Sequence, residues 1–344
     1  MISLVVPSYF ASTLLVAALT QSGSPATTRV EREAYVMGTT LSVSVVTADR
    51  AAGIAAIESA FHAVRRVDDL LSTWRDDSEI ARLNHARPGI PISLSADLYA
   101  LLQEAARWSR ETGGAFDPSV GALVDAWDLR GEGRIPSRTQ LAAARAATGL
   151  RRFELRDTGS TALRRDSTAW LDTGGFGKGV ALREAVRALR DAGVTSAFLN
   201  FGGQVFALGS EAGKDWIVPV AHPSRRAEEV LRLHLSGRSA STSSQSERWV
   251  DVGGRRLGHV LDPRTGEPVP AWGSVTVVAE DPVVADMLST ALLVLGPDAG
   301  ERWAKDRKDV AVLFLIARDG RLVRRWNQAL ESFLVIESTA TRRG

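Results

Sequence analysis

The sequence predicts an α+β fold, a single domain of mixed, largely antiparallel sheets with flanking helices. Three observations carry that expectation. Strand-like segments outnumber helical ones. They do not alternate strictly with helices, as a doubly wound parallel sheet would require. No internal repeat, low-complexity tract or interdomain linker divides the 344 residues.

The elements follow in order. Residues 41–46 alternate and predict a strand. Residues 51–71 carry Ile54, Ile57, Phe61, Val64, Val67 and Leu71 at helical spacing. A second helix is expected over 97–110 with Ser95 as N-cap, a third over 137–148 stopped by Gly149, and a fourth over 179–191 ended by Gly193. Short strands at 196–201 and 204–208 flank Gly202-Gly203. Further strands are expected at 216–220, 229–235, 249–252 and 275–279. Residues 282–295 form a helix with Asp281 as cap and Pro282 at its first position. Late strands are expected at 310–316 and 333–336.

Composition is that of a globular chain, with 44% hydrophobic and 24% charged residues. A net charge of +2 is too little to argue for a nucleic-acid partner, and none is expected. Only Lys178, Lys214, Lys305 and Lys308 are lysines among 42 basic residues, so a lysine inside a motif stands out. The absence of Cys excludes disulfides, thiolate metal sites and Cys nucleophiles. Residues 1–20 are apolar and uncharged, and 21–28 are small and polar. That pattern reads as a signal peptide or N-terminal tether over 1–28, although no basic residue precedes the apolar run and Pro7 and Ser8 interrupt it. The folded domain is expected over 30–338 with a tail at 339–344. Export follows as an expectation, to the periplasm or the outer face of the inner membrane, with membrane proximity through the leader. No later segment reads as long and apolar enough to span a bilayer.

Five segments can carry chemistry. The run Asp172-Thr173-Gly174-Gly175-Phe176-Gly177-Lys178-Gly179 leads from a strand-like stretch into a helix. Such a loop presents N–H groups to an anion, and Lys178 adds a point charge. Its spacing is neither that of a P-loop nor that of a dinucleotide fingerprint, and a tight strand–helix turn explains it as well. Asn200-Phe201-Gly202-Gly203-Gln204 is a turn or bulge unless a ligand approaches it. In His259-Val260-Leu261-Asp262-Pro263-Arg264-Thr265-Gly266 a type I turn is the plain reading. Yet of His62, His85, His222, His234 and His259, only His259 sits among polar groups in a turn of this kind, and histidine is the usual proton acceptor near neutrality. Asp286 and Thr290 are four apart on a helix and share a face. They offer two hard oxygens to Mg²⁺, or serve only the helix dipole and the helix's own backbone. Finally, Gly113-Gly114-Ala115-Phe116-Asp117-Pro118 with Met37-Gly38-Thr39 and Ser72-Thr73-Trp74 supplies an apolar sulfur and aromatic rings. These can pack on a flat ligand or belong to the core.

Taken in their order and spacing over residues 35–296, these segments resemble the FAD:protein FMN transferase (ApbE-like) family. The most specific matches are His-x-x-Asp-Pro-x-Thr-Gly at 259–266 and the glycine-lysine run at 174–179. The resemblance implies an α+β catalytic domain, FAD as donor, Mg²⁺ as metal, and a Ser or Thr of an exported flavoprotein as acceptor. It implies that Asp286, Thr290 and the Gly177 carbonyl hold the metal. Lys178, Gly174 and Gly175 would lie along FAD, with Gly202, Gly203 and Asp262 also on the cofactor side. Met37, Trp74 and Phe116 would border the flavin, Asp117 would support it, and His259 would assist deprotonation of the acceptor. Three departures stand out. Arg183 replaces an acidic residue, Gln204 replaces Asp, and Thr242-Ser243-Ser244-Gln245 replaces Thr-Ser-Gly-Asp. A metal-dependent FAD pyrophosphatase and a non-catalytic flavin-binding protein remain open alternatives.

Overall fold

The computed structural model describes residues 27–318 and 320–335. The chain opens with a hairpin of β1 (Thr28–Val36) and β2 (Thr39–Thr47). Met37 and Gly38 turn it with φ of 48° and 75°. Helices α1 (Arg50–Leu71) and α2 (Glu79–His85) follow, then β3 (Ile92–Ser93), α3 (Ala96–Glu111), α4 (Gly121–Trp127), α5 (Arg138–Ala147), β4 (Phe153–Arg156) and β5 (Thr161–Arg164). Next come α6 (Gly177–Asp191), β6 (Ala197–Phe201), β7 (Gln204–Leu208), β8 (Trp216–Ala221), β9 (Glu229–Leu235) and β10 (Arg238–Ser244). The chain continues through β11 (Trp249–Val252), β12 (Arg255–Gly258), β13 (Gly273–Ala279), α7 (Pro282–Ala304), β14 (Ala311–Arg318) and β15 (Arg321–Trp326).

Eight strands form one sheet in the order β1-β2-β6-β7-β10-β13-β14-β15, and every pairing in it is antiparallel. Side chains alternate between the two faces of a strand, and here both faces are covered. Leu41, Val43, Val45, Leu199, Val275, Val277, Val312 and Phe314 point into a core shared with α1, α6 and α7. Val205, Ala207, Ala240, Val278, Leu313 and Leu315 point the other way, onto the β8–β9 hairpin and Leu330. That is why β7, β13 and β14 read as nearly continuous apolar runs. A third cluster joins α4 and α5 to the β11–β12 hairpin through Leu123, Trp127 and Leu257.

Helix boundaries follow the caps. Ser95 accepts from the Leu98 amide at 3.2 Å, and Ser137 with Gln140 forms a reciprocal capping box. Asp281 caps α7 with Pro282 at its first turn. Gly296, at φ 76° and ψ 171°, breaks α7 where the sequence ends its helix, and Pro297 restarts it. Two expectations fail. Among the described residues the strand expected at 333–336 does not form: Gln328–Phe333 is a 3₁₀ turn and Leu334 makes an isolated β-bridge to Leu233. Helix α7 is long and apolar enough to cross a membrane, contrary to expectation, but its apolarity comes from burial against the sheet on one side and α6 on the other. The expected leader lies outside the described residues up to 26. Strand β1 begins at Thr28, two residues ahead of the expected domain start. The tail at 339–344 also lies outside the described residues.

The first turns of α6 and α7 cross at Gly179. A Cβ there would stand 2.6 Å from the Pro282 carbonyl oxygen and 2.7 Å from the Val283 Cα, both backbone atoms. Gly179→Ala is therefore expected to lower stability by about 1–3 kcal/mol, the usual cost of overpacking. Urea denaturation reads this directly, and an unchanged midpoint would show that the helix ends have room to part.

Candidate active site

The crossing of α6 and α7 organises a polar site in an otherwise apolar interior. Phe176, at the N-cap of α6, makes no side-chain cap bond, so the first N–H groups of the helix need partners from elsewhere. Asp286, in the second turn of α7 and 2% exposed, supplies one: its Oδ2 accepts from the Gly179 amide at 2.9 Å. Lys178 Nζ stands 3.6 Å from Asp286 Oδ1, and the Ser241 hydroxyl lies 3.4 Å from the same oxygen. Ser289 bridges Ser241 at 3.1 Å and Ser243 at 2.8 Å, and donates to the Asp286 carbonyl at 3.0 Å. The carboxylate is thus held by a backbone amide, an ammonium group and a chain of hydroxyls.

Thr290, one turn on, faces the loop before α6. A Cβ at Gly175 would lie 3.6 Å from Thr290 Oγ1 and 3.4 Å from the Phe116 ring. One at Gly177 would lie 3.4 Å from Met37 Cε. Met37, Phe116, Lys178, Asp286 and Thr290 therefore converge on residues 174–179. The loop is tied down by Asp172, whose Oδ1 accepts from the Gly174 amide at 2.7 Å, and by Thr173, which hydrogen-bonds the Leu71 carbonyl. Among the described residues no three His, Asp or Glu side chains gather as a metal cluster. The oxygens the structure places beside this loop are the buried carboxylate of Asp286 and the hydroxyl of Thr290. Such a hard, sparse set fits Mg²⁺, which relies on waters and phosphate oxygens to complete its shell.

His259 follows β12 directly. Its backbone amide and its Nδ1 both address the Arg248 carbonyl, at 3.3 and 3.1 Å. Nδ1 must then carry the proton, leaving Nε2 as a free acceptor. Burial pushes the imidazole pKa down to about 4, against the bond to the Arg248 carbonyl, with Arg248 and Lys178 lowering it further and Asp172 opposing them. The ring is consequently neutral near pH 7, and its electrostatic neighbours are the lysine and the aspartate of the glycine loop.

Other expected site residues sit differently. Trp74 is exposed, and one face of its indole carries the Arg130 guanidinium at 4.5 Å. Trp170 covers Arg130 at the same distance. Arg130 in turn pairs with Asp172 Oδ2 at 2.7 Å and with Thr73. Phe116 is buried edge-on to Phe176, beneath Gly175. The Asp117 oxygens are engaged by Ser119, by the Leu150 amide and by Ser109, so this carboxylate organises the 112–119 loop. Asp262 binds Arg264 through backbone and guanidinium and shapes the turn; its hydrogen bonds do not go to His259. Gly202 and Gly203 turn β6 into β7 with φ of 55° and 92°, and Gly202 packs on Thr39, next to the Met37-Gly38 turn.

The departures have structural partners. Arg183 pairs with Glu104 on α3 and with Asp281, the cap of α7. Gln204 is buried and donates to the Pro282 carbonyl at 2.8 Å, so it secures the start of α7. Sequence reasoning missed Arg130, which lies 42 residues from Asp172 with no pattern joining them. It also missed Ser289, although the i, i+3 spacing from Asp286 was a usable sign.

The ApbE family model matches residues 37–314. An "FAD:protein FMN transferase" of Klebsiella pneumoniae (strain 342) is 30% identical, covering 96% of this chain and 99% of its own length. One of the same description from Salmonella typhimurium is 32% identical and covers 92% of each chain. Among solved structures, the flavin transferase ApbE from Vibrio cholerae superposes with a TM-score of 0.80 at 26% identity, covering 90% of this chain and 100% of that one. The ApbE protein from Thermotoga maritima gives 0.81 at 27% identity, covering 89% and 99%.

The His259 environment has a consequence for acid stability. Its folded pKa, about 4, lies below the ordinary value of 6.5, so the unfolded chain binds more protons between those values. The stability this site contributes is present above about pH 6.5 and is lost as pH falls toward 4. NMR of the ring carbons is expected to show no titration of His259 between pH 8 and about 5.5, where an unperturbed histidine would titrate. Half-titration near 6.5 would place the ring in open solvent.

Proposed function

The chain belongs to the ApbE family, and from that premise we propose that it is an FAD:protein FMN transferase. In this reading it takes FMN from FAD, releases AMP, and attaches the FMN to a Ser or Thr hydroxyl of an exported flavoprotein. The observation that carries the proposal is the meeting of Lys178, Asp286 and Thr290 on the uncapped start of α6, with neutral His259 in electrostatic reach of Lys178.

The chemistry has one bond made and one broken. The acceptor hydroxyl oxygen attacks the FMN phosphorus, the P–O bond to AMP breaks, and the hydroxyl proton needs an acceptor. His259 Nε2, held in position by the Nδ1 bond to Arg248, is that acceptor. The ring is neutral at working pH and so is open to accept that proton. The start of α6 and Lys178 face negative charge on the pyrophosphate. Mg²⁺, held by Asp286, Thr290 and the Gly177 carbonyl, would supply charge neutralisation on the same oxygens. Asp286 is aimed by its bonds to the Gly179 amide and the Ser241 hydroxyl. The half-buried Met37 lies over the loop, and the outer face of Trp74 offers a flat apolar surface for an isoalloxazine ring. The apolar stretch at 1–20 supports an exported acceptor, outside the cytoplasm and near the membrane.

Incubation with FAD, Mg²⁺ and an extract of exported proteins tests the proposal, read by in-gel flavin fluorescence and by AMP release. A covalent flavin band with stoichiometric AMP is the expected result. AMP and free FMN without a band would make the protein an FAD pyrophosphatase, and FAD binding without AMP would make it a flavin carrier.

Two substitutions refine the test. Lys178→Ala is expected to weaken FAD binding on the order of tenfold, the worth of one charge-assisted contact. Lys305→Ala, at the exposed end of α7, should leave it unchanged; equal affinities in a fluorescence titration would remove Lys178 from the donor site. His259→Ala should bind FAD normally and lose roughly 10²–10⁴-fold in transfer. A folded variant with normal turnover would hand the proton to another group.

A further inference from the structure

Gln245 has no expected role and stands where the resembled family carries Asp. It begins the turn after β10 and is 4% exposed. Its Nε2 donates to the Val260 carbonyl at 2.7 Å and to the Val269 carbonyl at 2.8 Å, while its Oε1 accepts from the Val260 amide at 3.0 Å. Two carbonyl partners on one end of the amide and an N–H on the other fix its orientation. Val269 also donates to the Val260 carbonyl at 3.0 Å. The side chain thus acts as a third strand for the short hairpin that starts at His259.

Three residues further along the same turn, Arg248 supplies the carbonyl that binds both the His259 amide and its Nδ1. One turn, residues 244–248, therefore grips the histidine from both sides: Arg248 holds the ring and Gln245 holds the next peptide. Gly258, on the other side of His259, leaves the space this needs. A Cβ there would stand 2.1 Å from Gln245 Oε1.

The geometry points to Gln245 as the positioning residue of the proton acceptor: its buried amide sets the register of Val260 and so the place of His259 Nε2. This rests on the reading of His259 as the base. An amide suits the task because it carries two donors and an acceptor together. A carboxylate in the same place would set negative charge against two carbonyl oxygens. The ring itself is not touched by Gln245, so the effect passes through the peptide at 259–260.

The test uses the full chain with FAD, MgCl₂ and the exported-protein extract, comparing Gln245→Leu, Gln245→Glu, Gly258→Ala and His259→Ala. Gln245→Leu is expected to lose roughly 10–100-fold in the rate of flavin incorporation, the scale of an ångström-sized misplacement, with FAD affinity within twofold of wild type. Gly258→Ala, which displaces the amide without touching it chemically, should lose rate in the same way. Gln245→Glu keeps the size and fold. It should be slow at pH 8 and recover as its buried carboxyl gains a donor proton, between about pH 7 and 5, where the wild type gains nothing. That opposite pH trend is a signature that mere loss of stability does not produce. Wild-type rates in Gln245→Leu and Gln245→Glu at pH 8, with His259→Ala inactive beside them, would overturn the positioning role. Normal incorporation by His259→Ala would instead overturn the base reading on which the role stands.

Discussion

A single backbone amide, that of Gly179, donates to the buried carboxylate of Asp286 where two helix ends cross with no room for a side chain. An uncapped helix start and a buried carboxylate are each costly alone. Joined, they satisfy one another and hold the first turns of α6 and α7 in one arrangement. Lys178 is carried to Asp286 by that crossing. Thr290 meets Gly175 because it lies one turn further along α7, and Met37 lies against Gly177 because the β1–β2 turn ends beside the same helix start. The sheet contributes by burying α7 along most of its length, which fixes how deep the carboxylate sits.

Around this crossing, the residues that depart from the resembled pattern are engaged in structure. Arg183 ties α6 to the cap of α7 and to α3, so its positive charge is met by two carboxylates. Gln204 joins β7 to the first carbonyl of α7. Each replaces an acidic residue of the pattern, and each reaches the same helix start from a different element. Both side chains thus help hold the start of α7, the helix that carries Asp286.

Much of the fold was legible because its periodicities are strong. Helix α1 shows its apolar stripe, and α3, α5 and α7 announce their caps in Ser95, Ser137 and Asp281. The hairpin strands β6 and β7 are marked by the glycine pair between them. What escaped was short or masked by polarity. Strand β10 reads Arg-Ser-Ala-Ser-Thr-Ser-Ser, and only its place between β7 and β13 makes those hydroxyls a strand. Strand β1 alternates charges because one of its sides is an edge. In the site, residues on one helix or loop were legible from spacing: Asp286 with Thr290, and Lys178 with its glycines. Arg130, Ser241 and Gln245 were not, since each reaches its partner across the fold. Asp117 and Asp262, which the sequence also allowed as turn residues, make their hydrogen bonds within and beside their own turns.

The open sheet also has two ends, β1 and β15, and their composition governs how copies of the chain behave when crowded. An unpaired strand edge is a template for another strand. Along β15 stand Arg321, Arg324 and Arg325, and along β1 Arg29, Glu31, Arg32 and Glu33. Two β15 edges brought together would set guanidinium groups against guanidinium groups with water stripped away. Like charges set directly opposite one another destabilise a strand pair, so Arg321 and Arg324 work against such a pairing, while Arg325 is turned to Asp298 and Glu301.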